Sequence, residues 1–184
     1  PYTRGREVSR PANEIIAEIE SLMVQGYKSI TLLGQNVNSY GLDKSDEISF
    51  AQLLEEIGML GEKLNNPCWV YFTSPHPRDM SRDVVEAIAK FPVLAKQIHL
   101  PLQSASDQVL VKMNRKHNLD RYRESIQHIK ELIPQMGSHL VALWATNFLP
   151  AEKEMASLID IADRLGKARP KHPQVQQFVN NLQR

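Results

Sequence analysis

Cysteine is nearly missing from this chain: Cys68 is the only one in 184 residues. One thiol excludes an internal disulfide, a multi-thiolate zinc site and a three-thiolate iron-sulfur site built from these residues alone. Long apolar runs are missing as well. No stretch reaches the roughly 18 residues that suggest a membrane-spanning helix, and the opening Pro1 to Arg10 has neither the apolar segment nor the small-residue cleavage site of a signal peptide. The expected location is therefore the cytoplasm. Nor is there an excess of one charge, since 22 Lys and Arg stand against 21 Asp and Glu, a net charge of +1. That balance neither suggests nor excludes nucleic acid, because phosphate contacts depend on local clustering. Arg4, Arg6 and Arg10 form one basic cluster, and Lys112, Arg115, Lys116, Arg121 and Arg123 form another. Without a motif to claim them, both read as solvated faces.

What is present is enough apolar content, 42% of residues, to bury one sizeable core. The apolar residues fall in an alternating rhythm. Pro11 suits the first turn of a helix, and Ile15, Ile16, Ile19, Leu22 and Met23 share one face before Gly26. Lys28 to Leu33 then reads as a short strand buried on both faces. Phe50, Leu53, Leu54, Ile57, Leu60 and Leu64 restore helical spacing, and Cys68 to Thr73 is strand-like between two prolines. A third unit places a helix near Ser81 to Phe91 and a strand over Gln97 to Leu100. Helices are expected from Asp107 to Met113 and from Asn118 to Ile133. Beyond Pro134 the spacing predicts a strand over His139 to Trp144. A helix with Met155, Leu158, Ile159, Ala162 and Leu165 inward follows, capped by Gly166. A weaker stripe, Val175, Phe178, Val179 and Leu182, closes the chain.

Helices alternating with short apolar strands indicate an α/β fold with a parallel sheet, either open or closed into a barrel. In both arrangements ligands bind at the carboxyl ends of the strands. The segments to read are therefore Gly34 to Tyr40, Ser74 to Asp79 and Pro101 to Ser106. All three are rich in the neutral donors and acceptors that a polar small-molecule pocket needs, although such segments also serve as plain turns. Cys68, inside an apolar strand, reads as a small buried hydrophobe rather than a ligand.

Four segments, PYTRGRE, LLGQNVNSY, TSPHPRDM and HLPLQSASDQVLVKMNR, resemble in order and spacing the radical S-adenosylmethionine (SAM) domain of the tRNA methylthiotransferase family called MiaB. The resemblance runs from Pro1 to about Pro134. It implies a partial, incomplete (β/α) barrel of radical SAM type over residues 1–134, followed by a divergent strand-helix segment over 135–184. The cofactors it implies are SAM and 4Fe-4S clusters. In the family a C-x-x-x-C-x-x-C motif just before PYTRGRE holds the SAM-cleaving cluster, and those ligands are absent from this chain. The implied activity is insertion of sulfur at carbon 2 of an isopentenylated adenine beside the tRNA anticodon, followed by methylation. The implied partners are the tRNA anticodon stem-loop and N-terminal and C-terminal domains of the same protein.

Carried over residue by residue, the resemblance assigns Gln35, Asn36 and Val37 to the SAM amino group. It assigns Ser74, Gln103 and Ser104 to the same cofactor, and Arg115 to its carboxylate or to a tRNA phosphate. Arg4 and Arg6 become cluster-loop or substrate residues, and His76 a SAM or substrate contact. Ala105 stands where the family usually has glycine, a departure that matters only if the backbone there needs positive φ. After Pro134 the chain reads GSHLVALWATNFLPAEKE, without the family's acidic strand end and glycine-rich turn. Two functions follow: a portion of a methylthiotransferase, or a non-catalytic remnant or binding module with weak SAM or tRNA affinity.

Overall fold

A computed structural model describes residues 5–65, 67–132 and 151–182. The chain divides into two compact units, residues 1–128 and 129–184. The expected strand at His139 to Trp144 lies outside the described residues, as does the departure from the family pattern that precedes residue 151.

The first unit begins with helix α1, Ala12–Val24, entered from Pro11, whose fixed φ prepares the first turn. It ends where Gly26 takes φ +87°. There the Gly26 amide donates to the Met23 carbonyl and the Tyr27 amide to that of Leu22, a Schellman arrangement that uses two of the last orphan carbonyls. Strand β1, Ser29–Leu32, follows. Helix α2, Phe50–Leu64, starts on a capping box: the Ser49 hydroxyl accepts from the Gln52 amide, and the Gln52 side chain accepts from the Ser49 amide. Its inward face carries Phe50, Leu53, Leu54, Ile57 and Leu60, all buried. Each such side chain contributes about 1.5–3 kcal/mol when fully removed from water. Strand β2, Trp69–Phe72, then pairs in parallel with β1, with Ile30 opposite Val70.

Helix α3, Arg82–Lys90, packs on α2. The approach is close because α2 presents Gly58 to the ring of Phe91 and Gly61 to the side chain of Val93, leaving no room for a methyl group at either glycine. At the carboxyl end of α3 the buried Lys96 ammonium donates to the carbonyls of Ile88, Ala89 and Phe91. Burial pushes its pKa down to about 8, while the three acceptors and the negative end of the helix favour the charged form. Helices α4, Asp107–Lys112, and α5, Leu119–Leu132, follow. The second unit holds α6, Ala151–Ala168, and α7, Pro173–Leu182. They pack through Leu158, Ile161, Leu165 and Val175, with Phe178, Val179 and Leu182 beside them.

Four expectations are corrected. Strand β1 is not buried on both faces: Ser29 and Thr31 are exposed and only Ile30 is fully covered. Its sheet has just two strands among the described residues, so little packs on its second face. The third strand does not form at Gln97 to Leu100. The chain instead meets β2 at Leu94, where Val70 donates to Val93 and accepts from Ala95, and three residues further on it has left the sheet. Ile159 is 54% exposed rather than inward. Gly166 does not end its helix, which continues to Ala168 with Val179 packed near the glycine at ordinary contact distance. The parallel α/β pairing stands, with one parallel two-stranded sheet and one bridge among the described residues. None of the described helices is long and apolar enough to cross a membrane.

Candidate functional site

Because β1 and β2 run in parallel, the segments after them emerge at the same end of the sheet, and side chains tie the two together. The buried Asn38 amide group donates to the His76 carbonyl at 2.9 Å and accepts from the His76 amide at 2.7 Å. One residue on, the Ser39 hydroxyl donates to the Asp79 carboxylate at 2.6 Å. Arg78 closes a fork on the same carboxylate, Nε at 2.9 Å and Nη2 at 2.6 Å. Burial pushes the Asp79 carboxyl up, but the hydrogen bonds from Arg78 and Ser39 and the Arg78 charge more than offset it and hold the carboxyl below its ordinary value.

The segment leading into α1 folds over the first of these loops. Glu7 accepts from the Asn36 amide group at 3.0 Å, and Tyr40 donates to the Arg10 carbonyl at 2.7 Å. The Ser9 hydroxyl accepts from the Gly41 amide and donates to Asp43. Between them opens a pocket of about 640 Å³, lined by Gln35, Asn36 and Val37 together with Glu7, Asp43, Arg10 and Arg78. Its apolar wall includes Val8, Leu33 and Leu42, which are 78%, 80% and 68% exposed. Three large apolar side chains this exposed around one polar pocket mark a surface suited to being covered. The carboxylate of Glu7 suits an ammonium and the guanidinium of Arg78 suits a carboxylate, so the pocket presents complements to both ends of an amino acid.

The backbone is unusual in several of the segments that sequence marked out. Among the described residues, five non-glycine residues have positive φ, and three of them are Asn36 at 51°, Ser74 at 57° and Gln103 at 70°. A fourth, Asn114 at 55°, stands next to Arg115. Asparagine tolerates this region, whereas serine and glutamine are held there against preference, the kind of strain that gathers at binding sites. Ala105 is not among them, so its replacement of the family's glycine costs the backbone nothing.

The sequence-derived residues are therefore distributed unevenly. Gln35, Asn36 and Val37 share the pocket. Ser74 turns the chain beside it without lining it, and Arg6 is exposed. Arg4 lies outside the described residues. Ser104 accepts from the Ser106 amide at 3.2 Å at the entrance to α4, so it and Gln103 shape a turn apart from the pocket. His76 is 8% exposed, and its Nδ1 accepts from the Arg78 amide, which fixes the 3-10 turn Pro77–Asp79. Its ring meets that of His117 edge to face, with centroids 5.3 Å apart. Arg115 acts electrostatically on both histidines. The second basic cluster loses two members to ion pairs, Arg121 with Glu124 and Arg123 with Asp120, each at 2.8 Å. Asn38, Ser39, Arg78, Asp79 and His117 were not singled out by sequence. The first four lie inside the quoted segments, where their tight spacing after strand ends was the available signal, and His117 offered none.

Cys68 does not fit a cluster. It is 2% exposed at the start of β2, and burial pushes its thiol away from the thiolate form that binds iron. Among the described residues no group of three or more His, Cys, Asp or Glu is placed to hold a metal ion.

Residues 1–144 match the Radical SAM superfamily. A protein of Clostridium botulinum (strain Hall), named tRNA-2-methylthio-N(6)-dimethylallyladenosine synthase, is 49% identical over 137 residues, which is 74% of this chain and 30% of that protein. One of the same name from Treponema denticola is 46% identical over 139 residues, 74% of this chain and 31% of the relative. The chain thus spans about three tenths of the length of these curated relatives. With a match that covers the α/β unit and every loop of the mouth, the chain belongs to the Radical SAM superfamily.

Proposed function

We propose that this chain is the SAM-holding portion of a tRNA methylthiotransferase, a protein that inserts sulfur at carbon 2 of an isopentenylated adenine next to the anticodon and methylates it. The observation that carries the reading is the pocket at the carboxyl end of β1, where Gln35, Asn36 and Val37 stand beside Glu7 and Arg78. A volume of about 640 Å³ is ample for a nucleoside joined to an amino acid. In this reading Glu7 and the strained Asn36 turn receive the amino end of SAM, Arg78 lies toward its carboxylate, and Leu33 and Val37 cover its apolar parts. Ser74, Gln103, Ser104 and Arg115 complete the mouth as the sheet closes into a larger barrel with further domains of the same protein. Arg4, Arg6 and His76 lie toward the substrate side, with the tRNA anticodon stem-loop as partner and the cytoplasm as location. The iron-sulfur clusters need thiolates that these residues do not supply, so no reaction step is assigned to this chain.

Equilibrium binding of SAM to the chain tests this. The expected result is saturable binding that weakens roughly fivefold in Asn36→Ala and less in Asn36→Gly, which keeps the left-handed backbone while losing one side-chain hydrogen bond. Absence of binding at millimolar SAM, or equal binding in Gln35→Ala, Asn36→Ala and the parent, would overturn it. A second reading is a non-catalytic binding module that keeps the same pocket. It predicts the same SAM binding but no methylthio nucleoside in tRNA from cells whose only copy is the complete gene.

A further inference from the structure

His117 lies outside the pocket and beyond the segments that carry the family resemblance. It lies in the segment between α4 and α5 and is 8% exposed, and neither ring nitrogen makes a hydrogen bond of good geometry, although the Leu102 backbone lies close enough to favour its charged form. Buried polar atoms are almost always well partnered, so an imidazole held this loosely calls for an explanation. Its surroundings supply one. The ring is packed edge to face on His76, and His76 is in turn fixed at both its backbone atoms by Asn38 and at Nδ1 by the Arg78 amide. The His117 ring is therefore one contact that ties the segment carrying Arg115 to the loop after β2, and through Asn38 to the loop after β1.

We propose that His117 is a positioning residue of the mouth, an uncharged ring that latches the Arg115 segment onto His76, and that protonation of this pair releases the latch. The charged groups facing it are arranged for such a response. Burial opposes a proton on His76 most, then Arg78, His117 and Arg115, with Asp79 acting against them. For His117, burial and Arg115 oppose the charge, while the Leu102 backbone and Asp107 favour it. A first proton has to enter a buried contact already flanked by two guanidiniums, and a second would face its neighbour's charge at ring-contact distance. Opening toward water relieves both.

The latch does not depend on what the mouth binds, whereas its consequence, loss of ligand in acid, rests on the SAM reading above. The test is amide exchange of the whole chain followed by mass spectrometry between pH 7.5 and 5, corrected for the intrinsic pH dependence of exchange. Segments 73–80 and 113–118 should gain exchange by up to about tenfold per pH unit for each proton taken up, while α2 holds. His117→Phe, which keeps a flat ring without a titrating nitrogen, should remain protected at neutral pH and lose most of the acid step. Should that variant fail to fold, proton NMR titration of the parent decides: both histidines should titrate below ordinary values, together with the change in exchange. An unchanged acid step in His117→Phe, or histidines titrating normally with no step, overturns the latch. If the step is present and no SAM binds at any pH, the latch stands and the SAM reading fails.

Discussion

Asn38 and His76 form a reciprocal pair: the side chain of one satisfies both backbone groups of the other, at 2.9 and 2.7 Å, across two loops that follow different strands. Asn38 is 4% exposed, so this is a buried exchange in which neither partner has water as an alternative. Replacing it with alanine leaves a buried amide and carbonyl unmatched, at a cost of about 2–3 kcal/mol. Asn38→Ala should lower the urea midpoint of the first unit accordingly. A loss below about 0.5 kcal/mol would show that the two loops are held by Ser39 and Asp79 instead.

Acid should destabilise the first unit in two stages. For His76 and His117 the folded pKa lies below the ordinary 6.5. The unfolded chain then holds more protons just below that value, and stability present above it is lost as pH falls through the window. Asp79 is also held below its ordinary 3.8, so its contribution is present above that value and is lost only at still lower pH. Unfolding free energies from urea titrations at a series of pH values should show the first decline shrinking in His117→Phe and the second in Asp79→Asn. Identical pH curves for parent and both variants would refute the assignment.

One substitution should act with opposite signs at two glycines. Gly58→Ala drives a methyl group into the ring of Phe91 across the α2–α3 contact and should cost about 1–3 kcal/mol of overpacking. At Gly166 an added Cβ meets only Val179, at 3.6 Å, in the interior of α6. Gly166→Ala should therefore stabilise that helix by about 0.5–1 kcal/mol. Thermal melts of the two variants give the comparison directly, and equal shifts would contradict it.

Cys68 should resist iodoacetamide in the native chain and react on addition of denaturant, since it is 2% exposed and burial disfavours its thiolate. Anaerobic incubation with iron and sulfide should give no stoichiometric 4Fe-4S absorption band. A band that survives Cys68→Ala would show that ligands other than cysteine hold the cluster.

Much of the scaffold could be read from periodicity. The stripe from Phe50 to Leu64 gave α2, and the apolar runs gave β1 and β2, because each rests on burial that recurs at a fixed spacing. The segment from Val93 to Leu100 could not be placed this way. Its apolar residues are buried from Val93 to Ala95 and again at Leu100, and which stretch meets β2 depends on where Gly58 and Gly61 let α3 settle. Position at a strand end marked Gln35 to Val37, but Asn38, two residues from the centre of that segment, contributes through a backbone on another loop, a contact with no trace in spacing. His117 was illegible for the same reason, its partner lying 41 positions earlier in the chain.

The left-handed turns at Asn36 and Ser74 have a consequence for temperature. Serine does not hold that backbone shape unaided, so the surrounding packing imposes it, and the mouth keeps its form only while its frame is intact. Warming that loosens α2 against α3 should therefore flatten the mouth before any residue lining it is altered. Ligand affinity would then decline with the frame's own melting curve.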